Sequence, residues 1–112
     1  MMKEDPSGYV PVQKKLQEFS AAGILNDIGC NHIPKVKDVH PSAKGCEDCL
    51  KIGDSWVHLR ICLECGHVGC CDNSKNKHAT RHFHETNHPV IMSYEDDEDW
   101  IWCYADEVVV PQ

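Results

Sequence analysis

Between residues 46 and 88 the chain carries cysteines and histidines at the spacing of metal ligands: Cys46-x-x-Cys49, Cys62-x-x-Cys65, Cys70 with Cys71 beside it, His78-x-x-x-His82, His84 and His88. A C-x-x-C pair places two thiolates on one ion because the chain reverses between them. Zinc takes four such ligands tetrahedrally, with sulfur at about 2.3 Å and nitrogen at about 2.0 Å. His78 and His82 stand one turn apart on a helix, where neighbours are about 5–6 Å apart, so they can share an ion or serve two ions side by side. Adjacent strand residues point to opposite faces, so one of Cys70 and Cys71 is a ligand and the other a spectator. His84, two residues from His82, faces away from it. His58 and His67 are read as neighbours of the ligands or as surface residues, and His40 as a loop residue.

The chemistry this implies is scaffolding. A catalytic zinc keeps one position open for water and needs an acid or base nearby, whereas sites rich in thiolate and fully ligated are structural. Residue 79 is Ala where a metalloprotease helix needs Glu, and the His-x-Glu with Pro-Cys-x-x-Cys of a zinc deaminase is absent. A redox reading of C-x-x-C leaves the histidines unexplained.

The bulk of the chain agrees. Its 112 residues make room for one domain. A formal charge of -7 repels phosphate backbones and argues against nucleic acid as a partner. The chain holds 8 cysteines, which could suggest disulfides, but they interleave with 8 histidines and the opening Met2-Lys3-Glu4-Asp5 is polar. The expectation is a reducing, cytoplasmic location. No stretch approaches the ~20 apolar residues of a membrane span.

The elements that must position these ligands follow from local patterns. Residues 1–24 read as an N-terminal arm, with a short helix over residues 12–22, and residues 25–112 as the domain. Residues 42–52 hold the first C-x-x-C in a knuckle-like turn. Residues 56–62 alternate as a strand running into the second pair, and residues 68–71 form another strand. Asp72-Asn73-Ser74 supply N-cap residues for a helix over residues 75–86. Residues 89–94 make a strand, residues 95–99 an acidic turn, and residues 100–110 a final strand.

In the order and spacing of Gly45-Cys46-Glu47-Asp48-Cys49, Trp56-Val57, Cys62-Leu63-Glu64-Cys65, Gly69-Cys70, His78-Ala79-Thr80-Arg81-His82 and His88-Pro89-Val90-Ile91-Met92-Ser93-Tyr94, the chain resembles the UBP-type zinc-finger family. The resemblance spans roughly residues 30–106. Around Asp99-Trp100-Ile101-Trp102-Cys103-Tyr104 it is nearest to compact, stand-alone bacterial members. It implies a small α+β fold, a twisted antiparallel sheet packed on one main helix with cross-braced zincs. The first Zn²⁺ would be held by Cys46, Cys49, Cys70 and His78, the second by Cys62, Cys65, His82 and His88. Some members add a third zinc; here that site would draw on Cys30, His32, Cys103 and Asp106, with Asp where the last Cys would stand.

Family members that read ubiquitin hold its C-terminal Gly-Gly in an aromatic pocket with an Arg on the carboxylate. The resemblance maps that pocket to Trp56, to Trp100 or Trp102, and to Tyr104. Where the readers carry Gly-Arg-Tyr after the cysteine, this chain has Cys71-Asp72-Asn73. An Asp repels a carboxylate, so the expected partner is a protein or peptide, foremost a chain terminus or extended tail, but not ubiquitin. Arg60 or Arg81 would substitute only if the fold brought it round. Aromatics beside an acidic run would instead suit a basic or amine-bearing peptide. The alternative from another class is a zinc-dependent enzyme or zinc-handling protein using a labile third site.

Overall fold

The computed structural model describes Lys14, residues 39–95, Glu98 and residues 100–110. Five short strands form one antiparallel sheet in the order β2-β1-β3-β4-β5. They are β1 (Leu59–Cys62), β2 (Val68–Cys70), β3 (Val90–Ser93), β4 (Ile101–Cys103) and β5 (Val108–Val110). A one-and-a-half-turn helix, α1 (Glu47–Ile52), precedes the sheet, and α2 (His78–Thr86) lies between β2 and β3. This is the expected α+β arrangement with one main helix. The arm over residues 1–24, Lys14 apart, and the Cys30–His32 pair lie outside the described residues.

Register sorts the side chains onto two faces, since directly paired residues of an antiparallel sheet share a face and successive ones alternate. Ile61 pairs with Val68 and Met92, Met92 with Ile101, and Ile101 with Val110. That row is buried and forms the core with Leu59, Cys70, Val90, Cys103 and Tyr94. The opposite face carries Arg60 across from Gly69 and Ser93, Ile91 across from Cys62 and Trp102, and Trp102 across from Val109.

Helix α2 crosses this second face over the sheet edge, packing on β2 and β1. Its approach depends on Gly69, where a Cβ would come within 2.8 Å of the Ala79 backbone nitrogen. The helix starts from Lys77 in the left-handed region (φ 50) with no side-chain cap, and stops at Asn87 (φ 62). The expected start at residue 75, capped by Asp72-Asn73-Ser74, therefore moves to His78. The cap residues have other partners: Ser74 Oγ accepts from the Val57 amide at 2.8 Å, and Asp72 is bound by Thr80.

Three further boundaries differ from expectation. The first C-x-x-C opens a helix instead of sitting in a turn, because the Cys46 side chain caps it by accepting from the Cys49 amide at 3.4 Å. Glu47 and Asp48 suit its positive end, and Gly53 ends it in the left-handed conformation (φ 71) that glycine adopts without strain. The strand expected over residues 56–62 begins only at Leu59. The final strand splits into β4 and β5 around a turn over residues 104–107, with Glu107 at φ 54. Of the acidic turn, Asp96, Asp97 and Asp99 lie outside the described residues.

Candidate functional site

Two clusters of potential ligands form where these elements meet: Cys46, Cys49, Cys70 and His78, and Cys62, Cys65, His82 and His88, with the donor atoms of each set within 4.8 Å of one another. In the first, α1 supplies the C-x-x-C, β2 supplies Cys70 and the first residue of α2 supplies His78. Its Nδ1 stands 3.2 Å from Cys46 Sγ, 3.4 Å from Cys49 Sγ and 3.6 Å from Cys70 Sγ. Cys49 Sγ and Cys70 Sγ are 3.9 Å apart. A tetrahedron with zinc–ligand bonds of about 2.3 and 2.0 Å has sulfur–nitrogen edges of about 3.5 Å and sulfur–sulfur edges of about 3.8 Å. The donor set fits that figure. All four residues are buried. The His78 amide donates to Cys70 Sγ at 3.2 Å, which the left-handed turn at Lys77 makes reachable. Asn76 Nδ2 donates to Cys49 Sγ at 3.5 Å and to Asp54 Oδ2 at 3.0 Å, steadying a second thiolate.

The second cluster lies one helical turn along. Cys62 Sγ is 3.6 Å from His88 Nδ1, and Cys65 Sγ is 3.4 Å from His82 Nε2. The same tetrahedral edge accommodates both. Cys65 is exposed, so this site is more open than the first. His67, which sequence reasoning left between two roles, stacks on the His82 ring with centroids 4.3 Å apart and meets Asp48 Oδ2 at 2.9 Å through Nε2.

Burial pushes the Cys46 thiol up to about 12 and the Cys62 thiol up to about 11, and holds His82 down at about 4. Desolvation disfavours the charged form in each case. Thiolates in these positions therefore call for a cation between them, while a neutral His82 is already the ligating form.

Between Cys70 and Cys71 the structure distinguishes plainly: Cys70 faces the first cluster, whereas Cys71 stands 3.5 Å from Ser74 Oγ and lines a separate cavity. His84 is exposed on α2, away from both clusters, as its spacing suggested. Of the four residues suggested for a third site, Cys103 and Asp106 are neighbours, with Sγ 3.7 Å from Oδ2. Cys30 and His32 lie outside the described residues.

The cavity has a volume of about 570 Å³ and opens on the sheet face beside α2. Its walls include Trp100, Trp102 and Tyr104, with Ile91 and Val109 beneath. Arg60, Asp72 and Asn73 bring its polar groups. Trp102 and Tyr104 stand nearly perpendicular (84°) with centroids 6.3 Å apart, and Tyr104 stacks on Phe83 at 4.7 Å. Thr80 Oγ1 donates to Asp72 Oδ1 and is 3.1 Å from the Tyr104 hydroxyl. Burial raises the Tyr104 phenol above its ordinary value, keeping it protonated.

Arg60 does come round to this cavity, which sequence alone could not decide; it sits on the same sheet face as Trp102. Its guanidinium lies 4.5 Å over the Trp100 ring, donates to the Leu59 carbonyl at 2.9 Å and pairs with Glu98 at 3.6 Å. A hydrogen bond from Ser93, with Arg60 adding to it, keeps the Glu98 carboxyl below the usual carboxylate range. Arg81 is exposed on α2 and is not part of the lining. Trp56 does not line the cavity either. It packs against the core and lies over Gly45, where a Cβ would come within 2.6 Å of its ring.

Comparison with known proteins agrees with the geometry. Residues 46–112 match the family model described as the Zn-finger in ubiquitin-hydrolases and other protein. The chain is 32% identical over 81 residues to ubiquitin carboxyl-terminal hydrolase 44 of Ailuropoda melanoleuca, covering 67% of this chain and 10% of that one. It is 29% identical over 135 residues to ubiquitin carboxyl-terminal hydrolase 45 of Mus musculus, covering 93% and 16% respectively. The chain thus spans a sixth or less of the length of these curated relatives. Among solved structures, a protein of Rhodopseudomonas palustris determined by solution NMR is 64% identical, with a TM-score of 0.68 over 72% of this chain and 79% of that one. Among the described residues no helix is long and apolar enough to cross a membrane.

Proposed function

We propose, from the premise that this chain belongs to the UBP-type zinc-finger family, that it is a zinc-scaffolded module that recognises a protein or peptide in the aromatic cavity between residues 71–73 and β4. Zinc binding is the family's common ground, and the two clusters have the dimensions for it. Each full set of four protein donors, Cys46, Cys49, Cys70 and His78 and then Cys62, Cys65, His82 and His88, leaves no open position for a reacting water. Bound there, zinc supplies charge to hold thiolates and geometry to hold the fold.

The observation that carries the recognition reading is the placement of Trp100, Trp102 and Tyr104 around one cavity with both a cation and an anion in its lining. A concave, largely apolar site with a few convergent polar groups is the usual form of a binding pocket. The ubiquitin C terminus is not the ligand in this reading. Asp72 faces the cavity, and Arg60 is already engaged by Glu98, the Leu59 carbonyl and the Trp100 ring.

A displayed library of random peptides tests it. Selected binders should shift the indole N–H resonances of Trp100 and Trp102, and Trp102→Ala should weaken them at least about tenfold, a loss in keeping with removal of one aromatic anchor. Binders that shift only residues outside the cavity, such as the exposed Leu50 and Ile52 of α1, would move the recognition surface elsewhere. A labile third equivalent of zinc coupled to turnover of a substrate would favour the enzymatic alternative around Cys103 and Asp106.

A further inference from the structure

We infer that the cavity accepts the side chain of a lysine in an extended peptide, with its ammonium at Asp72 and its methylene stem along the rings of Trp102 and Tyr104. This rests on the reading of the cavity as the peptide site and adds the chemistry of its occupant.

Arg60 and Asp72 are the charged residues of the lining, but Arg60 is paired outside it. Arg60 and Glu98 neutralise each other across 3.6 Å, and the Arg60 guanidinium is further engaged by the Leu59 carbonyl and the Trp100 ring. Asp72 is exposed, and among the described residues its carboxylate has one hydrogen-bond partner, Thr80, and no ion pair. The cavity thus presents one uncompensated negative charge beside aromatic rings. A carboxylate ligand would meet an Arg60 whose charge Glu98 already offsets, and would have to tolerate Asp72. A cation meets neither obstacle.

The geometry suits a point charge on a thin stem. Trp102 and Tyr104 form a right-angled corner, and Phe83 covers one face of Tyr104. Thr80 gives its proton to Asp72, so its oxygen accepts from the Tyr104 hydroxyl at 3.1 Å. That bridge fixes the carboxylate at the hydroxyl end of Tyr104 and uses up the phenol's proton, removing a donor that a carboxylate ligand would want. One Asp72 oxygen is occupied and the other is left to the ligand. A guanidinium fork would want both, whereas an ammonium is satisfied by one oxygen with its stem on apolar rings.

The probes are peptides acetylated and amidated at their ends, so that a central lysine is the sole charge, compared with the same peptides carrying acetyl-lysine or norleucine. A lysine-free peptide ending in a free Gly-Gly carboxylate is the counter-probe. Titration followed at the indole N–H resonances should show the lysine peptide binding at least about tenfold more tightly than either neutral analogue. Asp72→Asn should remove that preference while leaving two zincs bound and the amide spectrum dispersed. The lysine inference is overturned if the acetyl-lysine peptide binds as tightly as the lysine peptide. It is equally overturned if the Gly-Gly carboxylate binds better and Arg60→Gln abolishes that binding. In both cases the indoles still respond and the cavity stands as the peptide site. Binding by the panel or by library-selected peptides that leaves both indoles unmoved removes the cavity reading, and the lysine with it.

Discussion

The imidazole of His67 lies flat on that of His82, with planes 6° apart and centroids 4.3 Å apart, while its Nε2 meets Asp48 Oδ2 at 2.9 Å. Asp48 belongs to α1, between Cys46 and Cys49, so a residue framed by two cysteines of one cluster reaches, through a single ring, a histidine of the other. Groups hydrogen-bonded to a ligating histidine fix its ring, and losing them weakens metal binding about 10–100-fold; a stacked ring restrains the same rotation.

His67→Ala should therefore weaken zinc at the second cluster by about 10–100-fold and leave the first cluster tight. Cobalt substitution separates the two, since a three-thiolate and a two-thiolate site differ in charge-transfer absorption. Chelator competition on the cobalt protein should release the two-thiolate signal first. Equal loosening of both signals would make His67 a general structural residue.

Cys70→Ala and Cys71→Ala should part company. The first removes a donor from the buried cluster and should reduce zinc to one equivalent by elemental analysis, with loss of amide dispersion, because a structural zinc supplies about 10–16 kcal/mol of apparent folding free energy. Cys62→Ala should unfold the domain for the same reason. Cys71→Ala should keep two equivalents and a native spectrum; loss of metal there would reverse the assignment of the two neighbours.

Gly69→Ala should destabilise the domain by about 1–3 kcal/mol, the range for overpacking a tight contact. The new methyl would push α2 away from β2 at the helix that carries both His78 and His82. Thermal unfolding of the zinc-loaded protein measures it, and an unchanged melting temperature would mean that the helix can ride higher without cost.

Zinc affinity should rise steeply with pH. With Cys46 pushed up to about 12 and Cys62 up to about 11 by burial, both thiols are protonated in the metal-free fold at neutral pH. Each must lose its proton to ligate, so each contributes about tenfold per pH unit to the affinity of its own cluster, Cys46 to the first and Cys62 to the second, between pH 6.5 and 7.5. Competition against a calibrated chelator at the two pH values reads this directly. For the metal-free fold the sign is opposite. A raised thiol pKa gives stability that is complete below the ordinary thiol value and is lost as pH climbs toward the folded one.

The two Cys/His clusters were legible because ligation demands particular residue types at particular spacings, and Cys46 through His88 display them in order. Local grammar served less well where tertiary partners intervened. Asp72-Asn73-Ser74 read as a helix cap, but Ser74 caps the Val57 amide and Asp72 holds Thr80, so α2 begins at His78, after Lys77 in a strained left-handed conformation that no propensity favours. Residues 100–110 read as one strand because the turn over residues 104–107 lacks glycine and proline. The cavity was only half visible. Trp102 and Tyr104 are neighbours in sequence, whereas Arg60 joins them through register across β1, β3 and β4, and Trp56 is drawn off to the flat surface offered by Gly45.

Thr80 stands on α2 midway between His78 and His82, and it grips both Asp72 and Tyr104. The gripping surface and the mineral skeleton are consequently one mechanical piece. Stripping either ion would undo the turn of helix from which Thr80 reaches out, and the wall of the cavity would go with it.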